Sequence, residues 1–182
     1  MIRSYLINLL EEYASIYPEE MVFKTDMLDF IHKHTDCFER SLKIGHITAS
    51  CWLLNNDATE ALLMHHRKLD KWFQLGGHCD GNPDVLAVAL KEAQEESGIE
   101  HIVSASSALF DIDIHLIPES SREQAHYHYD VRFLLQVASD EQVVQNQESK
   151  ELRWIGKSRA DLPTDNPSVV RMFNKWIALV GS

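Results

Sequence analysis

The stretch GGHCDGNPDVLAVALKEAQEESGI, residues 76–99, places two glycines ahead of an amphipathic segment that carries Glu92, Glu95 and Glu96. At about 100° per residue, this i, i+3, i+4 spacing puts the three carboxylates within an arc of roughly 100° on a helix. Like charges held that close repel, and hard oxygen donors suit Mg²⁺ or Mn²⁺, so the segment reads first as a metal site. Asn82 is the expected N-cap, Pro83 the first helical residue and Gly98 the stop, which gives a helix of about 15 residues. Leu86, Ala89, Leu90 and Ala93 form its apolar face, adjacent to the glutamates, so the carboxylates sit at the rim of a buried interface.

Around this segment the chain alternates short strand-like and helical runs. Ile47 to Asn55 and Glu60 to His66 read as a β-hairpin turning at Asn55, Asn56 and Asp57. Ile102 to Leu116, Ala125 to Val137 and Glu151 to Ile155 read as further strands, and Ser168 to Val180 as a final helix. Before residue 40 the spacing of Ile2, Leu6, Leu9, Leu10 and Tyr13 predicts a first helix, and a short second one is expected from Asp26 to His34 after a break at Pro18.

With 182 residues and 45% hydrophobic content, the chain can bury one substantial core, and no Gly-, Pro- or Ser-rich linker divides it. The formal net charge of -11 argues against nucleic-acid polymers and anionic membranes as partners. No run reaches the roughly 20 apolar residues of a membrane span, and Met1 to Leu10 lacks a cleavage site. Cys37, Cys51 and Cys79 are odd in number and widely spaced, which indicates neither a disulfide framework nor a thiolate zinc site and fits a reducing cytoplasm.

The glycine turn and glutamate helix resemble the signature of the Nudix hydrolase superfamily. Gly77 matches its opening glycine, and Lys91 to Ile99 matches its run Arg-Glu-apolar-x-Glu-Glu-x-Gly-apolar. Two positions depart: Pro83 stands where a glutamate is expected, and Lys91 where an arginine is expected. Asp80 or Asp84 could supply the missing carboxylate, and Lys91 could pair with Glu95 at i, i+4. The resemblance, which covers Ile47 to Ile155, implies an α/β (α+β) fold: an α/β/α sandwich with a mixed β-sheet. Residues 1–40 then form a helical extension packed on a hydrolase domain of residues 41–182, as one domain overall. The first helix is a candidate homodimer element.

The activity implied is metal-dependent hydrolysis of the diphosphate bond in a nucleoside diphosphate linked to another group, a small-molecule nucleotide. Glu92, Glu95 and Glu96 are the expected ligands for Mg²⁺ or Mn²⁺, and such an ion activates water and neutralises phosphate charge. Glu95 is the first choice for general base, with Glu148 and Glu151 as loop alternatives. The runner-up is a catalytically weakened nucleotide-binding or regulatory module, which the departures at Pro83 and Lys91 keep open. An isomerase acting on isopentenyl diphosphate is disfavoured, because it would want a hydrophobic prenyl pocket.

A second constellation lies outside the signature. Asp111, Asp113 and His115 alternate with apolar residues, and so do His126, His128, Asp130 and Arg132, so each set occupies one strand face. If the strands pair, the resulting face is a solvated surface, a substrate-lining wall or an additional metal site. The expected substrate contacts are Gly76, Gly77, His78, His126, His128, Asp130 and Arg132, with Arg67 at the end of the preceding strand as a phosphate contact. Arg132 is the member of the face best suited to phosphate. Trp72 or Phe73 could stack on a base, and Cys79 is expected to pack within the core.

Overall fold

The computed structural model describes residues 3–120, 123–139 and 142–179; Ile2 and Val180 of the expected helices lie outside them. The order is α1 (Ser4–Glu12), α2 (Pro18–Lys33), β1 (Gly45–Leu54), β2 (Ala61–His66), β3 (Lys71–Phe73), β4 (Leu75–His78) and α3 (Val85–Ser97). It continues with β5 (Ile102–Ser104), β6 (Asp111–Ile117), β7 (His126–Val137), β8 (Ser149–Ile155) and α4 (Pro167–Leu179). The eight strands form one mixed sheet with helices on both sides.

β1 is the axis of that sheet. All ten of its residues are buried, and it runs parallel to β7 from Gly45↔Tyr127 to Leu54↔Gln136. On its other edge the sheet forks, because Leu53 and Leu54 pair with β2 while Thr48 to Cys51 pair with β4. β7 divides likewise, with β6 along its first half and β5 along its second.

The alternation of β1 sorts its side chains. Ile47, Ala49, Cys51 and Leu53 join the larger core with α1, α2 and α3, including Leu6, Leu10, Met27, Ile31 and Ala89. On the opposite face, Trp52 and Leu54 pack beneath α4 against Phe173 and Trp176. His46, Thr48 and Ser50 share that second face but lie beyond the reach of α4's apolar stripe, and there the sheet turns polar.

Several boundaries differ from expectation. α2 begins at Pro18 and has 16 residues, since proline at the first helical position needs no hydrogen-bonded N–H. Ile102 to Leu116 is two strands, separated by a loop through Ser106 and Ala108 that crosses from one half of β7 to the other. α3 is capped by Asp84, whose Oδ1 accepts from the Ala87 N–H at 3.0 Å, and not by Asn82, which accepts from the Asp84 N–H at 3.0 Å. Gly98 ends α3 in the left-handed conformation, φ 73°. Among the described residues, no helix is long and apolar enough to cross a membrane.

A buried ion network ties α2 and α4 to β6. Asp111 is fully buried and takes a two-pronged contact from Arg171 (2.9 and 2.9 Å), with Arg132 at 3.0 Å and Lys175 at 2.8 Å. Glu20, equally buried, meets Lys175 at 2.5 Å, the Tyr13 hydroxyl at 2.7 Å and the Ile112 N–H at 3.3 Å. Burial alone would raise the Asp111 carboxyl, but the hydrogen bonds from Arg171 and the charges of Arg132 and Lys175 hold it below its ordinary range. Breaking one partner of such a set strands the others in a medium of low dielectric. Arg171→Met is therefore expected to lower unfolding free energy by about 3–5 kcal/mol in urea titrations. A loss below about 1 kcal/mol would mean the network contributes little.

Candidate active site

The glycine loop, the C-terminal half of α3 and the polar end of the sheet enclose a cavity of about 790 Å³. Gly76 and Gly77 bring the backbone of β4 against β1 and α3. A Cβ on Gly76 would collide with Ser50, and one on Gly77 would collide with the Glu92 carboxylate. The glycines thus allow the loop N–H groups to reach the helix, and Gly76 donates to the Glu96 carboxylate at 2.8 Å.

Of the carboxylates that line this cavity, Glu92, Glu96 and Glu148 lie close enough for the first and last to act on Glu96. Glu96 is 5% exposed, and its carboxyl is pushed up to about 8, first by burial and then by the charges of Glu92, Glu148 and Glu95, against the opposing Gly76 hydrogen bond. Glu92 is also raised, mainly by burial, with Lys91 countering. Glu95 is not brought together with them. Glu92 and Glu96 overlie one another at i, i+4, whereas Glu95 lies 100° around the helix from Glu96, is mostly exposed and pairs with Lys91 at 2.7 Å. Glu151 is likewise turned away and pairs with Arg153 at 2.7 Å.

The strands β6 and β7 pair with Asp111 opposite Arg132, Asp113 opposite Asp130, and His115 opposite His128. The resulting face is not a solvated surface. Asp111, Asp113, His126, Asp130 and Arg132 are all buried, and Asp113, His115, His128, Asp130 and Arg132 line the cavity with Gly76, Gly77 and His78. Arg132 is not a free phosphate contact. Its guanidinium reaches Asp130 at 2.7 Å, Asp111 at 3.0 Å, Ser168 at 2.8 Å and Asp113 at 3.4 Å, so its donors are committed within the protein. Asp130 is similarly occupied by Thr48 at 2.9 Å and Ser50 at 2.8 Å.

Arg67 does not reach the cavity. It donates to the carbonyls of Gln147 and Ser149, at 3.0 and 2.8 Å, and so fixes the loop that carries Glu148. Of the neighbouring His65, His66, Arg67 and Lys68, only His66 lines the cavity. Trp72 is stacked on His65 and covered by Arg153, so of Trp72 and Phe73 only Phe73 lines the cavity, together with Phe23 of α2. Asp80 pairs with Arg40 and is not among the residues that line the cavity. Cys79 is buried, which pushes its thiol up and fits packing.

Sequence reading missed His46, Glu20, Arg40, Arg171 and Lys175. His46 had a signal: His46, Thr48 and Ser50 alternate with Ile47, Ala49 and Cys51, the same period-two pattern that marks β6 and β7. Arg171 and Lys175 are spaced at i, i+4 on an amphipathic helix, where a solvated pair is the ordinary outcome.

The model of the NUDIX domain family matches residues 45–176 of the chain. No curated protein matches the sequence. Among solved structures, an Ap4A hydrolase from C. elegans, crystallised as a binary complex, shares 17% identity and superposes with a TM-score of 0.59 over 74% of this chain and 97% of its own. A NUDIX family hydrolase from Clostridium perfringens shares 23% identity at a TM-score of 0.52 (74% and 97%), and the E. coli dihydroneopterin triphosphate pyrophosphohydrolase 14% at 0.55 (73% and 95%). At these identities the likeness is one of fold.

Two imidazoles, His128 on the cavity wall and His46 behind it, are held neutral. Burial, reinforced by neighbouring histidines, pulls His46 down to about 4 and His128 down to about 2. The unfolded chain binds these protons from about 6.5 downward and the folded chain does not, so both rings cost stability as pH falls from 6.5 towards 4. Glu96 acts in the opposite sense between about 8 and its ordinary 4.5, since there the folded state holds the extra proton. In metal-free protein, Glu96→Gln should therefore steepen the loss of stability on acidification, as followed by thermal unfolding between pH 8 and 5. An unchanged slope would contradict this assignment.

Proposed function

Because the chain belongs to the Nudix hydrolase superfamily and is by class a pyrophosphohydrolase, we propose that it cleaves the diphosphate bond of a nucleoside diphosphate linked to another group, using Mg²⁺ or Mn²⁺. The observation that carries this reading is the convergence of Glu92, Glu96 and Glu148 beside the Gly76–Gly77 turn. Divalent metals are the general cofactors of the family, and the residues present suit one. Glu92 and Glu148 each push the Glu96 carboxyl up, a repulsion that a hard cation relieves. The cavity wall also carries six carboxylates (Glu19, Glu92, Glu96, Asp113, Asp130, Glu148) against three guanidinium groups, each already engaged by a carboxylate: Arg132 by Asp130, Arg171 by Asp111 and Arg40 by Asp80. An anionic diphosphate would enter such a site only with cations.

In this reading Glu92 and Glu96 hold the ion, which supplies Lewis acidity for the phosphate oxygens and for water. Glu148 takes the proton of the attacking water, being the one loop glutamate of the two candidates that lines the cavity. Arg67 keeps Glu148 in place through the loop backbone. Arg40, about half exposed at the cavity wall, exchanges its surface partner Asp80 for the outer phosphate, and Phe73 offers a surface for the base. Glu95 acts on the helix, pairing with Lys91 outside the cavity. A weakened binding module is disfavoured at the two departures from the signature. Asp84 caps α3 beside Pro83, and Lys91 reaches both Glu92 at 3.4 Å and Glu95 at 2.7 Å.

The test is release of phosphate or nucleoside monophosphate from a panel of nucleoside diphosphate conjugates with Mg²⁺ or Mn²⁺. Glu148→Gln is expected to lower kcat by about 10²–10⁴-fold, the range for loss of a general base. Glu96→Gln should remove turnover, whereas Glu95→Gln and Glu151→Gln should cost far less than Glu148→Gln. Full activity of Glu148→Gln, or no turnover of any conjugate by the wild type, would overturn the proposal.

A further inference from the structure

Beside the glutamate site lies a group of histidines that the hydrolytic reading does not use. His46 on β1, His78 at the end of β4 and His128 on β7 come together because β1 pairs with both neighbours. His46 is opposite His128 in the parallel ladder, and Thr48, two residues on along the same face, is opposite His78. One ring nitrogen from each of the three lies within 4.8 Å of the other two. Their ring centroids are 4.8–5.1 Å apart, and no carboxylate belongs to the group.

We propose that His46, His78 and His128 form a binding site for one divalent transition-metal ion of the zinc class, separate from the carboxylate site. Three imidazoles are the donor set that Zn²⁺ and its borderline neighbours prefer and that Mg²⁺ avoids. Ligation at about 2.0–2.1 Å in tetrahedral geometry asks for nitrogens about 3.4 Å apart, so the rings close by about 1.4 Å or less, within the reach of side-chain rotation.

Two further observations point to a ligand. His46 is 3% exposed, yet neither Nδ1 nor Nε2 has a hydrogen-bond partner, the nearby Leu42 carbonyl falling outside hydrogen-bond geometry. A buried ring normally has at least one nitrogen satisfied, and a bare one forfeits the hydration it had in water. The second observation is a fixed tautomer. His126 Nδ1 lies 2.9 Å from the Gln124 carbonyl, which can only accept, so in the neutral ring Nδ1 carries the proton and Nε2 the lone pair. That Nε2 is 3.3 Å from His128 Nε2, which must then donate and leaves Nδ1 of His128 with its lone pair free. A carbonyl–histidine–histidine chain of this kind orients a metal-binding imidazole from behind.

The site is reachable. A smaller cavity of about 240 Å³, lined by Arg40, Lys43, His46, His78, Glu123 and His126, borders the catalytic cavity, and His78 lines both. An ion held there would add positive charge to the wall that His78 and His128 present to an anionic substrate.

The test needs no turnover. Tag-free, chelator-stripped full-length protein is titrated with Zn²⁺ and analysed for bound metal by mass spectrometry, and in parallel with Co²⁺ for the visible ligand-field absorption of a nitrogen-ligated, low-coordinate ion. The wild type and the Glu92→Gln/Glu96→Gln double variant should each take up one tightly held equivalent. His78→Gln and His128→Gln should lose it, and His126→Ala, which removes only the orienting ring, should weaken binding by about 10–100-fold. His78 is partly exposed, so His78→Gln decides the question if His128→Gln fails to fold, with circular dichroism as the control. Less than one equivalent in the wild type, uptake unaffected by His78→Gln, or uptake abolished by the glutamate double variant would each overturn the site.

Discussion

The ten-residue parallel ladder between β1 and β7 is the constraint from which the rest of the molecule follows. Because side chains alternate along a strand, its register assigns every residue of β1 to a face and to a neighbour on β7. His46 meets His128, Thr48 meets Asp130 and Ser50 meets Arg132, while the intervening residues enter the apolar core. β4 and β6 extend the same face to either side, adding Gly76 and His78 on one flank and Asp111, Asp113 and His115 on the other. A one-residue slip would exchange this whole polar set with Ile47, Ala49 and Cys51.

That face is expensive to bury, and the structure offsets the cost by division of labour. At one end, charges are matched with charges: Asp111, Asp113 and Asp130 against Arg132 and Arg171, with Lys175 and Glu20 behind. At the other end, burial and the neighbouring rings hold His46 and His128 neutral. Between the two lies the cavity, into which Glu92, Glu96 and Glu148 project from α3 and the loop before β8.

Much of this was legible in the sequence, for reasons that can be traced residue by residue. The glycine turn, Gly98 and the spacing of Glu92, Glu95 and Glu96 are local features, and local geometry carried them into the structure. Alternation likewise identified the polar faces of β6 and β7. What was not legible depends on who comes to meet those faces. Nothing in Arg132 alone shows that Asp111, Asp113 and Asp130 will consume its donors, and nothing in the spacing of the three glutamates shows that Lys91 will draw Glu95 aside. The same holds for the cap of α3, where Asn82 and Asp84 compete within three residues and the turn preceding Val85 decides.

The contact of Glu20 with Lys175 and with the Ile112 N–H joins three segments that are distant in the chain, one of them outside the residues matched by the family model. Four positions, 20, 111, 171 and 175, thus form a compensated set in which a charge lost at one leaves an uncompensated charge at another. Such positions should change together or not at all across descendants of this chain. The helix that precedes the family region should therefore be inherited with it, carrying the imprint of substitutions made some 150 residues away.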